Sequence, residues 1–198
     1  MAGDHDDDLA ASKTEGFKLG EKKTVEEYQQ LDQNDESLNR WKASLGLGTG
    51  TSISDPSDPR KCIIKSLALE VEGRADITID LSGEGSLEKL KSQPFTIKEG
   101  SRFRMKATFM VQHEVLSGLK YIQVVKRKGV RVSKDEEMLG SYPPNTTDKR
   151  IYEKKFNPEE APSGMIARGH YNALSRFVDD DDHTHLKFEW SFDIAKDW

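Results

Sequence analysis

The stretch RFRMKATFMV, Arg102–Val111, decides the fold. Phe103, Met105, Ala107, Phe109 and Val111 alternate with Arg102, Arg104 and Lys106, so one face is apolar and the other charged. A period of two is that of a β-strand lying with one side on a core. Leu186, Phe188, Trp190, Phe192 and Ile194 repeat the pattern near the C-terminus, and Leu67, Leu69, Val71 and Ile77, Ile79, Leu81 repeat it earlier. Further strands are predicted near Phe95–Ile97, Leu119–Val125, Met138–Tyr142, Ile151–Phe156 and Tyr171–Phe177. Turn signals at Ser82-Gly83, Glu99-Gly100, Ser117-Gly118, Pro143-Pro144-Asn145 and Asp179–Asp182 separate them. Roughly eight or nine strands at this spacing predict a mainly β, antiparallel sandwich or barrel. No long helical period lies between strands, which argues against a parallel α/β sheet.

Outward from this block the composition changes. Residues 1–59 carry 6 Lys/Arg against 13 Asp/Glu, a net of −7; residues 60–198 carry 24 against 22, a net of +2. The division predicts an acidic regulatory arm over 1–59 and a β domain over 60–198. Met1–Lys23 has no usable periodicity and reads as disordered. Thr24-Val25-Glu26-Glu27 is a capping box, and Val25, Tyr28 and Leu31 share one helical face, predicting a helix over about 24–32. Asn34 or Asp35 can cap a second helix over 36–45, with Leu38, Trp41 and Leu45 as its stripe and Gly46 at its end. Residues 46–59 then read as a linker ending in two Asp-Pro steps. Helices this short are marginal alone in water, so their apolar stripes need a surface, either this chain's own β domain or a partner.

Composition also bounds function. No window approaches the ~18 consecutive apolar residues of a membrane span. MAGDHDDDLAASK is too acidic for a signal or transit peptide. Cys62 is the only cysteine, so no internal disulfide forms. The reading is a cytoplasmic protein, and a net charge of −5 argues against nucleic acid as partner. No phosphate-binding loop or nucleophile elbow is present, and neither a cofactor nor a metal is expected. The run DDDDHTH, ending at His185, lacks the alternating spacing of a calcium loop and reads as a solvated, like-charged turn. Lys126-Arg127-Lys128 with Arg131 is a basic patch: a solvated strand end, or a place where acidic groups dock, including this chain's own arm. Glu159-Glu160, between Pro158 and Pro162, is an exposed acidic pair suited to a polybasic segment. A hydrolase using paired carboxylates is the enzyme alternative, but the acidic clusters lie in turns with no nucleophile beside them.

LDQNDESLNRWK (31–42), SGLKYIQVVKRKGVRV (117–132), MLGSYPP (138–144) and EEAPSGMIARGHYNALSRFVDDDDHTHLKFEWSFDIAKDW (159–198) together resemble the Rho GDP-dissociation inhibitor family. The resemblance runs from about Phe17 to the C-terminus. It implies an immunoglobulin-like β-sandwich that shelters the geranylgeranyl group of a GDP-bound, prenylated Rho-family GTPase in a 1:1 heterodimer, with no stable membrane insertion. It implies an arm that grips the GTPase switch regions and slows GDP release, and hence extraction of the GTPase from membranes. By position, Asp35 and Ser37 correspond to polar switch contacts, and Leu38, Trp41 and Leu45 to apolar anchors. Phe17 stands where the family has an aromatic. Leu69, Phe95, Phe103, Val115, Ile166, Ala173 and Trp190 fall at lipid-lining positions. Glu159 and Glu160 match an acidic pair facing a basic tail, and Asp180 and Asp181 match acidic residues near the GTPase. A carrier of prenylated proteins without nucleotide control is the alternative within the same fold.

Overall fold

A computed structural model describes residues 7–12, 16, 23–31, 34–44, 50–83 and 85–198. Phe17, Leu45 and Gly46 lie outside these residues. The strands are β1 (Cys62–Val71), β2 (Ile77–Asp80), β3 (Phe95–Lys98), β4 (Arg102–Val111), β5 (Leu116–Arg127), β6 (Val130–Tyr142), β7 (Tyr152–Lys155), β8 (Glu159–Glu160), β9 (Gly169–Val178) and β10 (Thr184–Ala195). They build two sheets. One has the order β2-β1-β4-β7, with β8 also paired to β4; the other has the order β3-β10-β9-β5-β6. The protein is a mainly β, two-sheet sandwich consistent with the immunoglobulin-like class.

The alternation that predicted the strands also builds the core. Met105, Ala107, Phe109 and Val111 of β4 are buried, as are Leu67 and Leu69 of β1. They pack against Tyr121 and Val125 of β5, Ala173 and Phe177 of β9, and Phe188, Trp190 and Phe192 of β10. At about 25 cal/mol per Å² of apolar surface removed from water, this shared interior is the main stabilising term.

In its strands, helices and connections the fold departs from the sequence reading as follows. β3 runs parallel to β10, pairing Phe95 with Phe192 and Ile97 with Ile194, so the sandwich is not wholly antiparallel. A short helix, α3 (Ser86–Leu90), follows β2; Ser191 of β10 is buried and its Oγ donates to Lys91 O at 3.0 Å. The stretch taken as linker joins the sandwich at Thr51: Thr147 N donates to Thr51 O, Ile53 N to Asn145 O and Asp55 N to Gln112 Oε1. The N-terminal segment read as disordered is placed over residues 7–12, with Leu9 buried.

In the arm, the local signals produce α1 (Val25–Gln30), slightly shorter than predicted, and α2 (Glu36–Ser44), which runs to the last described residue before position 50. Thr24 and Glu27 form the reciprocal capping box. Asp35 Oδ1 accepts the N–H groups of Ser37 and Leu38 at 2.8 and 3.0 Å, which caps α2. Lys42 is buried and its Nζ donates to Leu31 O, tying the two helices together.

Gly118 sits where the β5–β6 register shifts, with a φ of 60°. A Cβ there would lie 1.8 Å from Asp180 Oδ2. Gly118→Ala should therefore destabilise the protein by more than ~1 kcal/mol, through both left-handed strain and the clash. Urea unfolding checks this, and an unchanged midpoint would refute it.

Candidate functional site

The aromatic residues of β3, β9 and β10 meet at one end of the sandwich. Phe95 stacks on Trp190 with ring centroids 5.2 Å apart, and Tyr171 stacks on Phe192 at 5.2 Å. The Trp190 N–H needs an acceptor in this apolar interior. Its Nε1 donates to Ser175 Oγ at 2.9 Å; Ser175 Oγ is 2.8 Å from Tyr121 Oη, which donates to Gln123 Oε1 at 2.7 Å. Burial pushes the Tyr121 hydroxyl far above its ordinary pKa, so it stays protonated. The chain of bonds fixes the indole's orientation.

Above this aromatic floor the sheets leave a cavity of about 530 Å³, within the ~300–1,000 Å³ of small-molecule sites. Its walls include Leu69, Phe103 and Met105 from one sheet, and Val125, Tyr171, Trp190, Phe192 and Ile194 from the other, with Ile97 from β3. The mouth is edged by Arg127, Val132, Asp135, Glu159, Glu160 and the loop Pro162–Ala167. That loop is tied from both sides. Arg127 Nη1 donates to Ile166 O and Nη2 to Arg168 O, while its guanidinium lies 5.2 Å from the Tyr171 ring centroid. Glu99 receives Gly164 N at 2.9 Å and a bidentate pair from Arg168 at 2.8 and 2.7 Å. Between these ties Met165 and Ile166 are 85% and 89% exposed. The lip of an apolar cavity thus presents unburied apolar side chains on a fixed loop.

Four of the predicted lining residues come together here: Leu69, Phe103, Ile166 and Trp190. Phe95 lies behind, stacked on Trp190 rather than lining the space. Ala173 is opposite Trp190 and Val125 in register, and its small side chain adds little between two lining residues. Val115 does not line the cavity: it precedes β5, whose far end carries Val125 and Arg127. The reading missed Ile97, Met105, Val125, Tyr171, Phe192 and Ile194, because inward-facing strand residues look alike in sequence wherever the sheets separate.

Glu159 and Glu160 form β8, pairing with Phe103 and Arg102. Both are exposed. Partial desolvation, then the charges of Asp135 and Glu137, raise the Glu159 carboxyl above the usual carboxylate range. The mouth is therefore a site where an added cation would relieve repulsion.

The DDDDHTH run is not uniformly solvated, contrary to the sequence reading. Asp179 is buried; its Oδ1 accepts the N–H groups of Asp181 and His183, and its Oδ2 lies 2.9 Å from His185 Nε2. Asp180 is half-buried, 3.7 Å from Lys120, and Asp181 is exposed. This turn follows Val178, at the opposite end of β9 from the cavity-lining Tyr171. In the arm, Asp35 and Ser37 are exposed and Leu38 is half-buried; Trp41 falls within α2. Among the described residues no three His, Cys, Asp or Glu side chains cluster to hold a metal, and no helix is long and apolar enough to cross a membrane.

The described residues thus combine a two-sheet sandwich, an apolar cavity with an acidic mouth and a capped helical arm. The chain matches the family model "RHO protein GDP dissociation inhibitor" over residues 2–197. It is similar to the Rho GDP-dissociation inhibitor of Schizosaccharomyces pombe, 49% identical over 180 residues, covering 91% of this chain and 86% of that protein. It is 44% identical to the Rho GDP-dissociation inhibitor of Saccharomyces cerevisiae over 182 residues (91% and 90%) and 41% identical to human Rho GDP-dissociation inhibitor 1 (92% and 86%). The chain belongs to the Rho GDP-dissociation inhibitor family.

Two predictions follow from these bonds. Ser175→Ala leaves the Trp190 N–H without its acceptor, while Tyr121 keeps its bond to Gln123, and should cost about 1–3 kcal/mol, read by thermal unfolding with a shift in indole fluorescence; wild-type stability would refute the network's role. For Asp179, burial raises the pKa, but His185 and the His183 and Asp181 N–H groups outweigh it and leave it lowered. Its stabilisation should be complete above 3.8, its ordinary value, and fade as pH falls through the lower folded value. Asp179→Asn should flatten that part of the stability–pH profile; an unaltered acid limb would exclude it.

Proposed function

We propose that this protein is a Rho GDP-dissociation inhibitor that binds a prenylated, GDP-bound Rho-family GTPase as a 1:1 complex in the cytoplasm. The cavity between the sheets carries this reading. Sheltering an isoprenoid offsets roughly 0.8 kcal/mol for each buried CH₂ that water would otherwise meet. Leu69, Phe103, Ile166 and Trp190 supply apolar walls, and Phe95 and Ala173 support them from behind. Glu159 and Glu160 stand in for anionic headgroups toward the GTPase's basic tail. A membrane holds such a protein by one lipid chain plus a polybasic patch, so a soluble protein that offers both substitutes can remove it.

The arm supplies nucleotide control. Asp35 caps α2, Ser37 and Leu38 lie on its first turn, and Trp41 and Leu45 continue the stripe in sequence; docked on the switch loops, they hold those loops closed over GDP. Asp180 and Asp181 form a second acidic contact at the other end of the sandwich. The chain acts by binding and is not an enzyme.

The test is extraction of a prenylated Rho GTPase from anionic liposomes beside GDP release from the same GTPase. Ala167→Trp, which blocks the mouth from the loop, should abolish extraction and leave the arm's weak hold on unprenylated GTPase intact. Asp35→Ala should weaken GDP retention more than extraction, whereas Asp35→Asn, which keeps the helix cap, separates lost contact from lost capping. Glu159→Gln with Glu160→Gln should weaken association and reduce its salt dependence. In the unsubstituted protein, a basic tail favours ionised Glu159, so association should weaken as pH falls through its raised pKa. Extraction indifferent to prenylation would overturn the reading.

A further inference from the structure

Leu9 is 1% exposed, yet it lies outside the sandwich core. It packs on Ile122, Val124 and Val178, each 0% exposed. Tyr121 and Val125 of β5 face the core between the sheets, so Ile122 and Val124 face outward. Outward residues become fully buried only when something lies on them, and here Leu9 does.

The rim of this strip is basic, and the segment over it supplies acceptors. Asp8 pairs with Lys126 at 3.0 Å and Arg131 at 3.1 Å. Lys134 Nζ donates to Ala10 O at 2.9 Å, Arg176 Nη1 to Leu9 O at 3.3 Å and Lys120 Nζ to Ser12 O at 3.3 Å. Ser12 in turn donates from N and Oγ to the Glu136 carboxylate at 3.1 and 2.8 Å. The Lys126 hydrogen bond leads the interactions that hold Asp8 below the usual carboxylate range. One apolar plug, one carboxylate and a run of backbone carbonyls thus meet one apolar strip and five cations.

We infer that the outer face of β5 and β9 is a docking site for an acidic-apolar peptide and that this chain's own Asp7–Ser12 fills it in cis. The arm is then clipped to the sandwich at two places, here and at Thr51–Asp55. The two short helices are carried on a loop closed at both ends. Closure lowers the conformational entropy of the free arm, and it leaves less to lose when the helices engage a partner.

The experiment uses the whole 198-residue chain, free in solution. Cys62 is buried and its thiol is pushed up to about 12, so it stays unreactive toward a labelling reagent. A spin label on Ala10→Cys should broaden the amide signals of Lys120–Lys126, Arg131–Lys134 and Arg176. Leu9→Asp or Asp8→Lys should restore those signals, and Asp8→Lys combined with Lys126→Glu and Arg131→Glu should broaden them again. Absence of broadening in the otherwise unaltered chain, or broadening that survives Leu9→Asp, overturns the inference. So does broadening that appears only when isotope-labelled and spin-labelled chains are mixed, which would place the segment on a second copy. No GTPase is present, so failure here is distinct from failure of the proposed function.

Discussion

Trp190 can occupy an apolar interior because Ser175 accepts its N–H, and the rest of the cavity depends on that bond. The indole neighbours both Phe95 and Phe192, at 5.2 and 5.3 Å between centroids, and those two rings stand 6.5 Å apart. Aromatic residues at the other end of the sandwich meet differently. Phe109, Tyr142 and Tyr152 meet edge-on or tilted, 4.7–5.8 Å apart, and Tyr152 Oη donates to Pro143 O at 3.0 Å. That cluster packs ring against ring, whereas the stacked set forms a floor with space above it. Two groups of similar side chains therefore pack differently within one core, and the stacked group borders the cavity.

The cavity carries a cost that the mouth loop distributes. Met165 and Ile166 gain nothing from water where they stand, and the loop that holds them is kept in place by charge-assisted bonds to Arg127 and Glu99. Fixing the lip before a ligand arrives means less order must be imposed on binding. Pairing of β8 with β4 holds Glu159 within the field of Asp135, a repulsion that an incoming cation relieves.

Much of the fold was legible because the strands announce themselves by period. β4 and β10 alternate over their full lengths, and the capping box at Thr24 is a local signal with a local outcome. The parallel pairing of β3 was not legible, since a four-residue strand carries no mark of direction. Neither was α3, too short to show a helical period. The cavity was legible only through family resemblance: Val125 and Tyr171 have the same inward alternation as fully packed neighbours, and sheet separation is a long-range property. Asp179 looked like its three neighbours in a run of four, though the turn geometry turns one carboxylate inward onto three donors. Leu9 was invisible because a lone apolar residue among aspartates has no periodicity, and its partners stand more than a hundred residues away.

The two acidic groups of the sandwich lie at opposite ends of its long strands. β9 runs from Gly169, beside the cavity, to Val178, beside Asp179–Asp182. At ~3.3 Å per residue the separation is about 30 Å. A single partner meeting both has to span that length of the sandwich. Neither contact can substitute for the other, because the ~8–10 Å screening length of ordinary salt keeps each field local. The spacing of the two acidic ends is therefore a constraint of length as well as of charge. Under the inferred clip, the reach of the arm is limited by the same body.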